Sequence, residues 1–142
     1  MKMTLSTLLI ILFLALSACQ PAAAPETSDK IETAGGFYQN ISADGLHRML
    51  EDKDFLFVNV HIPYEGDIPG TDLSIPYDHI TEPAYLSQLP SNKDDKIVLY
   101  CRSDRMSTIA AEELVKLGYK DVWNLEGGMV EWERAGYPLV GN

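Results

Sequence analysis

The sequence predicts an α/β domain with a mostly parallel central sheet and helices on both faces. Three observations point there. Apolar runs at 55–60, 97–100 and 122–125 lack the strict alternation of a half-solvated strand and suit strands buried on both sides. Segments with helical spacing separate these runs, and strand–helix–strand alternation in one compact unit favours a parallel sheet. The chain has 142 residues, 46% hydrophobic and 23% charged, a globular composition of one-domain length.

Residues 1–18 read as an address rather than as part of that domain. Lys2 supplies a positive start, and Leu5 to Leu16 is apolar apart from Ser6 and Thr7. The run suits the core of a signal peptide and is short of the roughly 20 residues of a bilayer span. It ends in Leu16-Ser17-Ala18-Cys19, which resembles the bacterial lipobox. The resemblance implies cleavage before Cys19 and diacylation of its thiol; the alternative is an ordinary signal peptide cut nearby, with Cys19 incidental. Gln20 follows where an Asp would mark inner-membrane retention, so a Gram-negative source implies the periplasmic face of the outer membrane. Residues 19–36, rich in Pro, Ala, Ser, Thr and Gly, read as a flexible tether. The folded domain is expected over 37–142.

Within it, Ser42–Leu50 carries Leu46, Met49 and Leu50 at helical spacing behind a possible Ser42 N-cap. The strand at 55–60 follows, then a weaker helix at 83–89 and the strand at 97–100. Residues 107–117 place Ala110, Leu114 and Leu117 on one face, and Gly118 stops the helix. The strand at 122–125 leads through Gly127-Gly128, read as a tight turn, into a last helix at 128–135 closed by Gly136. Trp123 and Trp132 read as packing aromatics.

Charge and cysteine count narrow the chemistry. With 21 acidic and 11 basic residues the formal charge is −10, without the basic footprint that nucleic acid requires. Two cysteines, Cys19 and Cys101, exclude a disulfide-dense scaffold and a four-cysteine zinc site. His47, His61 and His79 are scattered, and no metal or cofactor is expected.

Reactive groups in parallel sheets sit at the carboxyl ends of strands. Cys101 follows the strand at 97–100 and opens the loop Arg102-Ser103-Asp104-Arg105-Met106, with the helix starting near Ser107. Successive backbone N–H groups and the positive end of a helix favour thiolate over thiol there, and Arg102 and Arg105 add to that. The bland alternatives are a buried structural cysteine and two solvated arginines. His61, just past a strand end, reads as a hydrogen-bonded structural histidine that could approach the site.

The run Tyr100 to Ser107, with Ala110-Ala111, Leu114, Leu117-Gly118-Tyr119, Val122, Leu125-Glu126-Gly127-Gly128-Met129 and Trp132, resembles the rhodanese homology domain. Gly66-Asp67-Ile68-Pro69-Gly70-Thr71 is similar to that family's G-H-I-P-G-A element. The resemblance implies sulfurtransferase chemistry. Cys101 would be the catalytic residue, carrying sulfane sulfur as a persulfide between a small donor and a thiophilic acceptor. Arg102, Ser103, Asp104, Arg105, Met106 and Ser107 would bind the donor. In this family a phosphatase-like loop is one residue longer and ends in an arginine, where Ser107 stands here.

Several departures are visible, among them Asp67 in place of the histidine of the G-H-I-P-G-A element. Asp104 replaces a frequent glycine, and Met106 a frequent arginine. Asn59-Val60-His61 stands for D-x-R. A carboxylate at 104 is expected to oppose an anionic donor such as thiosulfate. These departures keep a second function open, a non-catalytic module of the same fold that binds a partner at the envelope.

Overall fold

The computed structural model of the chain describes residues 28–141. The expected signal peptide, the lipobox with Cys19 and the first half of the expected tether lie outside the described residues.

Six strands form one sheet in the order β1-β2-β6-β5-β3-β4. They are β1 (Asp29–Thr33), β2 (Gly36–Ile41), β3 (Leu56–Asn59), β4 (Leu73–Ser74), β5 (Ile97–Tyr100) and β6 (Val122–Leu125). Every pairing is parallel except the β1–β2 hairpin. The helices are α1 (Ala43–Glu51), α2 (Pro83–Leu86), α3 (Arg105–Lys116) and α4 (Gly128–Arg134).

Successive side chains of a strand point to opposite faces, and β5 shows how this divides the interior. Ile97 and Leu99 join Ala110, Ala111 and Leu114 of α3 on one side. Val98 and Tyr100 join Leu46 of α1 and Trp132 of α4 on the other. All four β5 side chains are fully buried, which is why this strand reads as a continuous apolar run. Each such side chain contributes roughly 1.5–3 kcal/mol by leaving water. Cys101 continues the alternation onto the α3 side.

Several boundaries differ from the sequence reading, and strands β2 and β4 have no counterpart in it. Asp29–Thr33, inside the segment read as a tether, is a strand, paired from Asp29↔Asn40 to Thr33↔Gly36. Its side chains are mostly exposed, so backbone pairing at a sheet edge holds it and no apolar pattern betrays it. The last turn of the expected helix at 83–89 is lost, α2 ending at Leu86. The third helix begins at Arg105 rather than Ser107, so Arg105 and Met106 of the Cys101 loop are already helical. The expected Ser42 cap is present, its Oγ accepting from the Gly45 N–H at 3.1 Å.

Candidate active site

Chain direction places the site. The parallel strand β5 ends at Tyr100, and the next residue, Cys101, stands between that carboxyl end and the start of α3. Its side chain is 2% exposed. Two donors meet the sulfur. The Asp104 main-chain N–H lies 3.1 Å from Cys101 Sγ. The Ser107 Oγ lies 3.3 Å from the same Sγ and 3.0 Å from the Asp104 carbonyl, so its single hydrogen serves one of these acceptors at a time. Hydrogen bonds to a sulfur anion favour the charged form.

The loop is tied from behind by α4. The Met129 N–H donates to the Cys101 carbonyl and the Val130 N–H to the Arg102 carbonyl, both at 3.0 Å. These helix-start amides have no partner within α4, and they keep both carbonyls on the α4 side. Gly127 and Gly128 adopt φ of +71° and +58°, which lets the chain enter α4 this close to the loop. The expected tight turn is therefore also a clamp on the sulfur loop.

Asp104 is the only non-glycine with positive φ among the described residues, at φ +101° and ψ −46°. Such a backbone costs of order 1–3 kcal/mol and persists only where its surroundings over-determine it. Its Oδ1 accepts from Asn124 Nδ2 at 2.7 Å, and the same Nδ2 donates to Asn40 Oδ1 at 3.0 Å. The carboxylate expected to stand in the path of an anionic donor is thus bonded to a buried amide on β6. The physical reason is the positive φ, which brings the main-chain N–H to the sulfur while the side chain turns toward the sheet.

A small pocket of about 70 Å³ opens over Cys101, lined by His61, Arg102, Ser103, Arg105 and Met106 as well as the cysteine. A larger cleft of about 570 Å³ touches the loop at Ser103 and Asp104 and otherwise lies against Asp44, Glu126, Glu131 and Arg134, without Cys101. Of the two, the smaller is the one that Cys101 lines. Of the six loop residues named from sequence, Arg102, Ser103, Arg105 and Met106 line this pocket. Asp104 and Ser107 meet the sulfur from beneath.

Neither arginine bonds to the sulfur. The Arg102 guanidinium donates to Glu65, and this holds the Glu65 carboxyl below its ordinary range. Arg105 lies over the Tyr77 ring, 5.9 Å from its centroid. His61 is buried and lines the pocket, and neither ring nitrogen makes a hydrogen bond. Its Nε2 comes within 3.4 Å of Glu65 Oε2, an ion-pair distance. His61 thus stands in the pocket wall, with Glu65 as the polar group nearest its ring.

A polar network fixes the neighbouring strand end. Asn59 Nδ2 donates to the Gly66 carbonyl and to Asp67 Oδ1, and Asn59 Oδ1 accepts from the His61 N–H at 2.9 Å. The Tyr100 hydroxyl donates to Asp67 Oδ1 at 3.1 Å and accepts from the Ile68 N–H at 3.0 Å. Asp67 and Asn59, two departures from the family pattern, are thus partners of one another. Sequence reasoning missed Asn40, Asn124 and Glu65. Asn124 did carry one signal, a polar residue inside the apolar run at 122–125.

Among the described residues no group of three or more His, Cys, Asp or Glu is placed to hold a metal ion. No helix among them is long and apolar enough to cross a membrane.

Comparison with known proteins agrees with this geometry. Residues 42–135 match the family model of the rhodanese-like domain. A sulfurtransferase of Allochromatium vinosum is 38% identical over 104 residues, covering 70% of this chain and 92% of the relative. A tRNA uridine(34) hydroxylase of Escherichia coli is 30% identical over 110 residues, 75% of this chain but only 31% of that enzyme's length. Among solved structures, a rhodanese-related protein from Thermoplasma volcanium superposes with a TM-score of 0.59 at 28% identity, covering 71% of this chain and 96% of the other. The chain belongs to the rhodanese-like domain family, and its matched region includes the whole sulfur loop.

Proposed function

We propose that this protein is a sulfurtransferase that carries sulfane sulfur on Cys101 as a persulfide, held at the cell envelope by a lipid on Cys19. One observation carries the sulfur chemistry: a buried Sγ that receives the Asp104 N–H at 3.1 Å and the Ser107 hydroxyl at 3.3 Å, under a pocket of about 70 Å³. A water molecule's share of liquid volume is about 30 Å³, so the pocket has room for the outer sulfur of a persulfide. The sulfurtransferase of Allochromatium vinosum supports the same reading at family level.

The steps balance as two displacements. The Cys101 thiolate attacks the outer sulfur of a donor persulfide, R–S–SH. The S–S bond breaks, R–S⁻ leaves and takes a proton, and Cys101 becomes a persulfide. An acceptor thiolate then attacks the outer sulfur, and the Cys101 thiolate leaves. The Asp104 N–H and the Ser107 hydroxyl stabilise the anion on Sγ before the first displacement and after the second. A thiol persulfide fits as donor because Arg102 is engaged by Glu65 and the formal charge is −10, both unfavourable to a dianion.

The envelope location rests on the hydrophobic run and lipobox-like sequence before Cys19. The test of the chemistry is single-turnover transfer from a low-molecular-weight persulfide, with the added sulfur read by mass spectrometry on the Cys101 peptide. Cys101→Ser should fold normally and transfer nothing, because its hydroxyl cannot carry sulfane sulfur. Transfer by Cys101→Ser would overturn the assignment.

A further inference from the structure

We propose that Asn124, backed by Asn40, is a positioning residue for the sulfur site: through the Asp104 carboxylate it holds the Asp104 N–H on Cys101 Sγ. The inference rests on the reading of Cys101 as the sulfur carrier.

The argument starts from a conflict. At φ +101° glycine sits without strain, whereas a residue with a Cβ is disfavoured. The loop nevertheless has aspartate, and its amide must stay there to reach the sulfur at 3.1 Å. Something outside the loop has to hold it.

The carboxylate is the handle. Asn124 is fully buried on β6, and register places Asn40 of β2 directly beside it. Both hydrogens of its amide are committed, one to Asp104 Oδ1 at 2.7 Å and one to Asn40 Oδ1 at 3.0 Å. The opposite amide orientation would set its oxygen against both of those oxygens. The observed orientation is therefore kept even though Asn124 Oδ1 is buried without a partner. An orphaned acceptor of this kind is costly, and it is accepted here in return for the anchor. The chain of contact runs from β2 through β6 and the carboxylate to the amide on the sulfur. Asn124 touches neither the sulfur nor the pocket.

Simple electrostatics predicts the opposite sign. The titratable and charged groups near Sγ are Arg102, Asp104 and Arg105 of its own loop and helix, His61 and Glu65 after β3, and Tyr38 on β2. From α4, Glu133 neighbours Arg102. Removing the Asp104 charge alone should favour a thiolate and speed its reactions. Positioning predicts that losing the anchor slows them.

The experiment measures alkylation of Cys101 by iodoacetamide against pH in the full chain, with the adduct read on the Cys101 peptide so that Cys19 does not contribute. Asp104→Ala and Asn124→Ala should each slow alkylation at neutral pH about ten-fold, the order expected when one hydrogen bond to a charged acceptor is lost, and move the profile to higher pH. Asp104→Gly should react at least as fast as wild type, because glycine takes the same φ unaided and the carboxylate charge is gone. Adding Asp104→Gly to Asn124→Ala should restore the rate.

The proposal is overturned if Asp104→Gly is as slow as Asp104→Ala, or if the double variant stays as slow as Asn124→Ala. Should Asn124→Ala fail to fold, the Ala and Gly variants at Asp104 decide alone. Alkylation does not require sulfur transfer. The predicted alkylation pattern without any transfer would therefore leave the positioning standing and sink the sulfurtransferase reading. Transfer without the pattern would do the reverse.

Discussion

A Cβ built on Gly128 would lie 2.2 Å from the carbonyl oxygen of Cys101 and 2.8 Å from that of Arg102. These are main-chain atoms, fixed by the Met129 and Val130 amides, and they cannot rotate aside. The start of α4 and the sulfur loop are therefore packed backbone to backbone.

Gly128→Ala should consequently damage both stability and transfer. Positive φ alone costs of order 1–3 kcal/mol, and the clash adds to it by pushing the loop off α4. Gly118→Ala is the control: Gly118 also has positive φ, but nothing lies within 4 Å of its added carbon. Thermal melts should show a loss of several degrees for Gly118→Ala, at roughly 4–8 °C per kcal/mol for a domain near this size, with transfer retained. Gly128→Ala should melt lower still and transfer little. Equal melts and equal transfer in the two variants would mean that the close approach has no consequence.

The legible parts of this fold are those whose partners are local or whose burial is complete. Strand β5, the Cys101 loop and α3 could be read because Ile97 to Tyr100 is buried on both faces and Ala110 and Leu114 keep helical spacing. Strand β1 could not, since an exposed edge strand is held by backbone pairing that any polar sequence can make. The loop itself was legible as a site, but the direction of Asp104 was not. Its partner Asn124 lies 20 residues away on another strand, and only the folded register brings Asn40 beside both. His61 could be read as near the site, but not what surrounds it there. Asn59 and Glu65 are near it in sequence, but the pocket it lines is otherwise built by the Cys101 loop, 40 residues on.

Tyr100→Phe tests the network beneath the site. The hydroxyl satisfies the Ile68 N–H, donates to Asp67 and lies 2.7 Å from Thr71 Oγ1. Removing it leaves a buried amide unpaired, a loss of about 1–3 kcal/mol. The pH dependence has a defined sign. Burial, the largest cause, pushes this phenol well above its ordinary value of 10.0. Above pH 10 the unfolded chain releases the proton while the folded one keeps it, so wild-type stability falls as pH rises there. Urea melts should show the gap between wild type and Tyr100→Phe at pH 7 narrowing above pH 10. A gap that widens would contradict the assignment.

Cys19→Ala tests the anchor. If the lipobox-like sequence is processed as proposed, cells fed labelled palmitate should label the wild-type protein, and the variant should carry no label and remain uncleaved. Detergent partitioning of the two forms should differ in the same sense. Equal label in both would place any lipid elsewhere and remove the support for an envelope anchor.

Glu65→Gln tests what Arg102 is held for. In the folded protein the guanidinium is bonded to Glu65, although it also lines the pocket over Cys101. Neutralising Glu65 removes a negative charge beside the pocket and releases the guanidinium toward it. An anionic donor such as thiosulfate should then bind better, with KM falling severalfold. A charge that acts on ground and transition states alike leaves kcat nearly constant. The gain should shrink at high salt, since the groups are solvent-exposed and a Debye length at 0.15 M is about 8 Å. An uncharged donor should show no change. Acid should mimic the substitution only late. The Arg102 hydrogen bond, the largest cause, holds the Glu65 carboxyl below its ordinary value of 4.5. The wild-type thiosulfate KM should therefore show no Glu65-linked improvement until the pH drops beneath that value. If Glu65→Gln instead raises the KM for thiosulfate, Glu65 is orienting Arg102 for the donor rather than withholding it. The preference for thiol persulfides over anionic donors would then be wrong.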